Sequence, residues 1–326
     1  MDERLSQAVA RELNNAQSIR LTSHIHPDGD AIGSLVGMGL SLQAQGKKVE
    51  MVLQDGIPAA LRFIPGCDMI MRDSSEPFEL LVTLDCSDEN RVGIRLDESA
   101  QVDINIDHHA TNTAFARLNL VDDQAVATAE ILAIHLPEWG FPIDHSAAEA
   151  LLTGILTDTI GFRTNNMNSQ ALRVAADLVE TGADLVDLYN KALVRRSFPS
   201  LKYWGYGLSR MKQSGRIVWT TLTGDDRSAA SYTGNDDADL INLLSTIDGA
   251  DVIILFNGQG KNQVKVSWRC ISDLNVSSVA LLFGGGGHPC AAGADIEGNL
   301  EEIQDKVIET TSRLLELNRL ERTNPS

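Results

Sequence analysis

The chain has 326 residues, 43% of them hydrophobic and 22% charged, a composition typical of a globular protein with room for two domains. The formal net charge of -18 argues against a protein that binds long nucleic acid, because phosphate neutralisation requires a basic surface. The apolar runs have only the length of a strand, and the N-terminal residues lack a signal-peptide pattern, so we expect neither membrane insertion nor secretion. Four scattered cysteines form no C-x-x-C pair, which predicts reduced thiols and a cytoplasmic location.

In the first half, short apolar strands alternate with helical patterns, which indicates an α/β fold with a parallel sheet. The predicted strands are 19–21, 48–53, 78–84 and 102–106, and the predicted helices are 1–17, 31–45, 126–136, 146–158 and 169–193.

Acidic and imidazole side chains directly follow three of these strands. The segment T-S-H-I-H-P-D-G-D at 22–30 follows the first strand, Asp85 follows the third, and Asp107-His108-His109 ends the fourth. In open parallel sheets ligands bind beyond the carboxyl ends of the strands, so the three clusters are expected to converge at one edge.

Together with Asp158, which ends an apolar helix, these clusters offer ligands for two divalent metal ions. Crowded carboxylates and imidazoles repel or desolvate one another unless a cation lies between them. Mixed ligands of this kind favour Mn²⁺, with Mg²⁺, Fe²⁺, Co²⁺ or Zn²⁺ as alternatives, and two such ions can stabilise a phosphoryl transfer. The candidate ligands are His24, Asp28, Asp30, Asp85, His108 and Asp158.

Single residues of these clusters have simpler interpretations. His26 is expected to point to solvent, and Asp85 alone could cap the following turn. Asp107 is expected to orient a neighbouring histidine and not to bind metal directly. The metal site is favoured by the order of all the clusters and by their positions at strand ends.

In the second half, strands are predicted at 216–223, 252–256 and 263–269, and helices at 237–247 and 300–320. A strand-like apolar segment at 279–283 precedes four glycines and a histidine: Gly284, Gly285, Gly286, Gly287 and His288. Such glycines let backbone amides approach an anion or a nucleobase closely, whereas a flexible linker is the alternative. Arg269 is expected either to bind a phosphate through two hydrogen bonds or to form a surface salt bridge.

These motifs resemble the DHH phosphoesterase superfamily. The match runs through His24-x-x-x-Asp28-x-Asp30, Asp85, Asp107-His108-His109 and Asp158. The G-G-G-G-H segment and Ser267-x-Arg269 resemble the DHH-associated C-terminal domain of the same proteins. The chain is most similar to the small stand-alone members, the nanoRNase-like oligoribonucleases that also dephosphorylate 3′-phosphoadenosine 5′-phosphate (PAP), and to related cyclic-dinucleotide phosphodiesterases.

The resemblance implies a role for each matching residue. One metal ion would bind His24, Asp28 and Asp85, and the other Asp30, Asp85, His108 and Asp158, with Asp85 bridging. Asp85 and His109 would be catalytic, with His109 facing the scissile phosphate. The substrate would contact residues of both domains across an interdomain cleft: His109, Arg163, Arg269, Gly284, Gly285, Gly286, Gly287 and His288.

We therefore predict a parallel-sheet catalytic domain at 1–190, a helical linker at 191–212 and a smaller mixed-sheet α/β domain that binds the substrate at 213–326. The expected reaction is hydrolysis of short oligonucleotides, linear dinucleotides or PAP by hydroxide held between two metal ions. A cyclic-dinucleotide phosphodiesterase, a manganese pyrophosphatase, a processive single-strand exonuclease and a sensing module with poor turnover are the alternatives. The expected partner is a short nucleotide, without long duplexes or membranes, and a homodimer is compatible with the sequence.

Overall fold

The computed structural model describes residues 3–95, 101–234, 237–260, 262–271 and 274–323, without the side chains of His288 and of residues 317–323. The chain forms two compact units, Met1–Arg195 and Arg196–Ser326. The segment 191–212, which the sequence predicts to be a linker, is divided between these units, and most of it belongs to the second.

The first unit is built on a parallel six-stranded sheet. Its strands are β1 (Ser18–Thr22), β2 (Lys48–Val52), β3 (Ile70–Met71), β4 (Leu80–Leu84), β5 (Ile104–Asp107) and β6 (Leu118–Val121). Its helices are α1 (Glu3–Asn15), α2 (Gly29–Ala44), α3 (Thr128–Glu138), α4 (His145–Asp158), α5 (Ser169–Glu180) and α6 (Leu185–Tyr189). The strands lie in the order β3-β2-β1-β4-β5-β6, and every pair is parallel. The predicted α/β class with a parallel sheet is confirmed.

The order of the strands locates the edge at which a ligand would bind. The sheet order reverses between β1 and β4, and in doubly wound sheets the crevice beyond this reversal is the usual ligand site. β4 reads L-L-V-T-L and is buried along its whole length, as expected for a central strand of a parallel sheet. The next residue is Asp85, so an acidic side chain lies directly at the carboxyl end of this buried strand.

Small residues let α2 and α4 pack closely beside this edge. A Cβ atom on Gly33 would lie 2.5 Å from the carbonyl oxygen of Ala150 and 2.8 Å from the amide nitrogen of Gly154. At Gly29 a Cβ would lie 2.3 Å from Oγ1 of Thr157. The close approach therefore extends to the start of α2 and the end of α4, where Asp30 and Asp158 are located.

The second unit contains a mixed six-stranded sheet. Its strands are β7 (Lys212–Ser214), β8 (Ile217–Leu222), β9 (Val252–Gly258), β10 (Gln263–Cys270), β11 (Gly286–His288) and β12 (Ala291–Glu297). Its helices are α7 (Phe198–Ser209), α8 (Gly224–Ala230), α9 (Leu240–Leu244), α10 (Ser277–Leu282) and α11 (Leu300–Thr323). The order is β11-β12-β10-β9-β8-β7, and β8 and β9 pair in parallel while the other pairs are antiparallel. The predicted mixed sheet is confirmed.

One expectation about the second half is wrong, and one alternative is excluded. The apolar segment 279–283 was expected to be strand-like, but most of it belongs to α10, whose Val279 and Ala280 pack into the core. A flexible glycine linker is also excluded, because Gly286 and Gly287 pair with β12. Among the described residues, none of the helices is both long enough and apolar enough to span a bilayer.

The close packing of α2 against α4 leads to a stability prediction. Replacing Gly33 with alanine should lower the free energy of unfolding by about 1–3 kcal/mol, because the added methyl group overpacks a backbone-to-backbone contact. Gly205 in α7 is the matched control, since a Cβ there meets nothing within 4 Å. Gly205→Ala should be neutral or stabilising by up to about 1 kcal/mol, as expected from helix propensity. Urea denaturation followed by circular dichroism measures both, and equal stabilities of Gly33→Ala and the unmodified protein would contradict this packing.

Candidate metal centre

Asp85 lies at the centre of the site and is held in an unusual backbone conformation. Its φ angle is +54°, in the left-handed region that few non-glycine residues adopt. Its amide nitrogen donates to the carbonyl oxygen of Ile106 at 2.9 Å, so the neighbouring strand β5 fixes the position of the turn. Such conformations are costly and occur preferentially at functional sites. The side chain is 2% exposed.

The predicted ligands are close together in the structure. Oδ2 of Asp85 lies 3.6 Å from Nε2 of His24, and Oδ1 lies 3.6 Å from Nε2 of His108. Nε2 of His108 is also 3.7 Å from a carboxylate oxygen of Asp158. Three overlapping groups have ligand atoms within 4.8 Å of one another: His24, Asp28 and Asp85; Asp30, His108 and Asp158; Asp85, His108 and His109. The first two groups, with Asp85 added to the second, correspond to the two predicted metal sites.

Two histidines are oriented by the backbone in a way that suits metal binding. Nδ1 of His24 lies 2.8 Å from the carbonyl oxygen of Ile25, and Nδ1 of His108 lies 3.4 Å from that of Ala125. A carbonyl only accepts, so in these contacts Nδ1 of each ring is the donor. Nε2 faces the carboxylates and is the nitrogen that would bind a metal ion, which is the arrangement found in metal-binding histidines.

His109 is oriented by a different partner. Its Nδ1 donates to Oδ1 of the fully buried Asp107 at 2.7 Å, which agrees with the orienting role predicted for Asp107. Asn112 holds the other oxygen of Asp107 through a 2.6 Å hydrogen bond. Burial lowers the pKa of His109, but the Asp107 hydrogen bond and the negative charge of Asp85 outweigh it and raise the pKa to about 9. In the absence of metal ions His109 is therefore a cation at neutral pH.

Asp30 has a structural partner that the sequence did not indicate. Its Oδ2 accepts from the amide of Thr128 at 2.6 Å, and its Oδ1 accepts from the amide of Ala129 at 3.0 Å. Asp30 therefore caps the N-terminus of α3, where a negative charge is favoured. The hydroxyl of Thr128 donates to Oδ1 of Asp85 at 3.1 Å. Thr128 thus links two of the predicted ligands.

Sequence reasoning missed the supporting residues Thr128 and Asn112. A signal for Thr128 was the segment A-T-A-E at the start of a predicted helix. For Asn112 the signal was an amide side chain three residues beyond His109. Both lie outside the clusters of ionisable groups from which the metal site was predicted.

The charges of the cluster are unbalanced without a cation. Burial raises the pKa of Asp30 well above its ordinary value, and repulsion from Asp85 and Asp158 adds to this effect. The pKa of Asp158 is raised well above its ordinary value for the same reasons, burial and the charge of Asp85. For Asp85 burial acts in the same direction, but the His24 hydrogen bond and the charges of His108 and His109 prevail and lower its pKa. Bound cations would relieve this repulsion, so the donor set fits divalent metal ions.

The remaining residues predicted in the first unit are more exposed. Asp28 caps α2, where its Oδ1 accepts from the amides of Asp30 and Ala31, and it lies 3.9 Å from Nε2 of His24. His26 is exposed, as predicted. Arg163 is exposed in the turn after α4, and no described hydrogen bond or ion pair joins its guanidinium group to the cluster.

The predicted substrate residues of the second unit lie at one end of its sheet. Arg269 is half-buried in β10, where burial lowers its pKa against the opposing effect of Asp237 and Asp239. A Cβ atom on Gly285 would lie 2.1 Å from the carbonyl oxygen of Gly293, so this glycine is required by the packing of the hairpin. Gly284 and Gly286, in contrast, have open space where a side chain would be. The His288 side chain lies outside the described part of the structure.

Comparison with known proteins places the chain in a family. Residues 18–155 match the N-terminal domain of the DHH family, and residues 228–313 match the DHHA1 domain. The bifunctional oligoribonuclease and PAP phosphatase NrnA of Thermus thermophilus is 35% identical over 301 residues, covering 89% of this chain and 88% of the relative. NrnA of Mycoplasma genitalium is 28% identical over 300 residues, covering 90% of this chain and 92% of the relative.

A solved structure shows a similar fold over the whole chain. An exopolyphosphatase-related protein from Bacteroides fragilis superposes with a TM-score of 0.86 at 25% identity, covering 97% of this chain and 96% of the other. RecJ from Thermus thermophilus, crystallised with Mn²⁺, has a TM-score of 0.55 at 14% identity, covering 95% of this chain and 55% of RecJ, which is a likeness of fold alone. The family matches, the identity to the Thermus relative and the acidic site lead to one conclusion: the chain belongs to the DHH family.

Proposed function

We propose that this protein is a phosphoesterase that hydrolyses short oligonucleotides and PAP with the help of two divalent metal ions, and that Mn²⁺ is the preferred metal. The observation that carries the proposal is the position of Asp85, whose two carboxylate oxygens each face Nε2 of a different histidine. A carboxylate shared in this way suits a two-metal site. The substrates are those named for the NrnA relatives, two of which match along about nine-tenths of this chain.

In the proposed site His24, Asp28 and Asp85 would hold one ion, and Asp30, Asp85, His108 and Asp158 would hold the other. When bound, such ions supply Lewis acidity toward a phosphoryl oxygen and lower the pKa of water. The chain itself orients this ligand set. Backbone carbonyls hold the histidine tautomers, and Thr128 holds the carboxylate of Asp85.

His109 is the residue that we propose to act on the substrate directly. Asp107 fixes Nδ1, so Nε2 is the nitrogen that would donate a hydrogen bond to a phosphate oxygen. The Asp107 carboxylate that accepts from Nδ1 favours the protonated ring, and a charged donor stabilises the negative charge that develops in the transition state more strongly than a neutral one. The buried Asp107 prevents the ring from rotating away during this step.

Arg269, Gly284, Gly285, Gly286, Gly287 and His288 are proposed to bind the part of the substrate that does not react. The open space beside Gly284 and Gly286 would allow a phosphate or a base to reach the backbone, and Arg269 would supply a fixed positive charge. Arg163 is proposed as a further phosphate contact. Short substrates suit a protein of net charge -18, because only local positive groups are available to bind them.

Turnover of a substrate panel tests the function. We expect rapid release of mononucleotide from linear di-adenylate and of phosphate from PAP in the presence of Mn²⁺, and loss of both activities with a chelator. Cyclic di-adenylate and pyrophosphate serve as comparison substrates. Preference for the cyclic substrate would assign a cyclic-dinucleotide phosphodiesterase instead, and hydrolysis of pyrophosphate alone would contradict the role proposed for the second unit.

Substitution of Asp85 tests the metal site. Asp85→Asn should abolish turnover and weaken Mn²⁺ binding in calorimetry by at least about tenfold, because it removes the shared charge of both proposed sites. Asp123→Asn is the matched control: Asp123 is exposed beyond β6, and the same substitution there changes the net charge equally. The control should bind and turn over normally. Normal metal binding by a folded Asp85→Asn variant would rule out this centre.

Substitution of Arg269 tests the role of the second unit. Arg269→Gln should raise KM for PAP about tenfold or more with little change in kcat, because a charged hydrogen bond to a phosphate contributes about 1.5–3 kcal/mol. Lys265→Gln provides the control, since Lys265 is exposed and lies on the same face of the same strand as Arg269. An unchanged KM in Arg269→Gln, or an equal rise in both variants, would show that Arg269 does not bind the substrate.

A further inference from the structure

Two cysteines of the second unit lie beside each other at the end of the β10–β12 pairing. The antiparallel register ends with Arg269 opposite Ala291, and Cys270 and Cys290 are the next residues on the two segments. The amide of Cys270 donates to the carbonyl oxygen of Cys290 at 2.9 Å, which keeps the two backbones adjacent one residue beyond the ladder. Facing residues in an antiparallel pair have Cα atoms about 4.5–5.5 Å apart. This separation lies within the range of about 4.4–6.8 Å that a disulfide spans.

The surroundings of the pair distinguish it from the other cysteines. Cys290 is exposed in the two-residue turn between β11 and β12, and Cys270 is half-buried at the end of β10. Pro289, in the same turn, accepts a 2.7 Å hydrogen bond from the amide of Val276, which anchors the turn. Cys67 and Cys86 are both buried in the first unit, away from solvent.

We propose that Cys270 and Cys290 form a reversible disulfide in response to a small-molecule disulfide. The exposed Cys290 thiolate attacks one sulfur of the oxidant, forming a mixed disulfide and releasing one thiolate. The Cys270 thiolate then attacks Sγ of Cys290, closes the protein disulfide and releases the second thiolate. The two protons of the cysteine thiols go to the two released thiolates. Two cysteine thiols are thereby oxidised, and one disulfide molecule is reduced to two thiols.

The bond would act on the hairpin that carries the glycine segment. Cys290 is the second residue of the turn of this hairpin, and Cys270 directly follows Arg269. Glycines lose more backbone freedom on ordering than other residues, so keeping the segment Gly284–Gly287 in the ordered hairpin is costly. A crosslink at the turn of the hairpin lowers this cost, and such pre-organisation favours binding. This second step rests on the proposed function, whereas formation of the disulfide does not.

Intact-mass measurement tests the disulfide itself. After treatment of the full chain with oxidised glutathione, we expect the loss of two hydrogen masses, restored by dithiothreitol, and a peptide map that links Cys270 to Cys290. Cys290→Ser and, as a second variant, Cys270→Ala should each abolish this loss, and Cys67→Ala, the control, should retain it. A lasting glutathione adduct on Cys290 without ring closure, or a bond that involves Cys67 or Cys86, would overturn the proposal.

Kinetics of the oxidised and reduced protein test the consequence. The oxidised form should show a KM for PAP lower by about threefold with kcat unchanged, as pre-organisation of a binding segment predicts. The same treatment should leave the KM of Cys290→Ser unaltered. An unchanged KM in a fully oxidised sample would overturn the coupling to substrate. Absence of turnover in the reduced protein would instead count against the proposed function and leave the mass measurement valid.

Discussion

The burial of the Asp85 carboxylate is the constraint on which the first unit depends. A carboxylate that is 2% exposed is destabilising unless positive groups or donors surround it. Three elements meet this requirement: the turn after β1 supplies His24, the end of β5 supplies His108, and the start of α3 supplies Thr128. The parallel sheet brings these elements to one edge because β1 and β5 both flank β4. The fold and the site therefore have a common origin in the order of the strands.

The same constraint explains why α2 and α4 must approach so closely. Asp30 begins α2, Asp158 ends α4, and both belong to one group with His108. Side chains larger than hydrogen at Gly29 or Gly33 would separate the helices and withdraw these two carboxylates from each other. Without a cation the pKa values of both are raised, so the close packing holds the carboxylates in an arrangement that is unfavourable until metal binds. A free-energy cost of this kind, stored in the folded protein, is typical of functional sites.

The sequence predicted β1, β2, β4 and β5 of the first sheet, but not β3 and β6, and it predicted the clusters at the strand ends, because both signals are local. Short apolar runs ending in aspartate or histidine identify strand ends, and parallel topology brings these ends together. Contacts between distant segments could not be predicted in this way, and the cap that Asp30 provides to α3 is one example. The segment 279–283 was assigned wrongly because a short apolar run fits either a strand or a buried helix. Helix α7 lies within the segment 191–212 that was predicted to be a helical linker, where Ser197 caps it and Pro199 lies in its first turn, two signals of a helix start.

The four glycines Gly284 to Gly287 meet two requirements: close packing against β12 and access of a ligand to the backbone. Gly285 and Gly287 lie against β12, where a Cβ would meet backbone atoms at 2.1 and 2.5 Å. The other two glycines, Gly284 and Gly286, face open space, so packing does not explain them. Gly284 has a φ of +74°, which favours glycine for its backbone conformation, and Gly286 has no such requirement. Gly286 is therefore the position at which close approach of a ligand to the backbone best explains the absence of a side chain. A substrate-binding role for the segment rests chiefly on this residue, and the packing of its neighbours forms the hairpin that presents it.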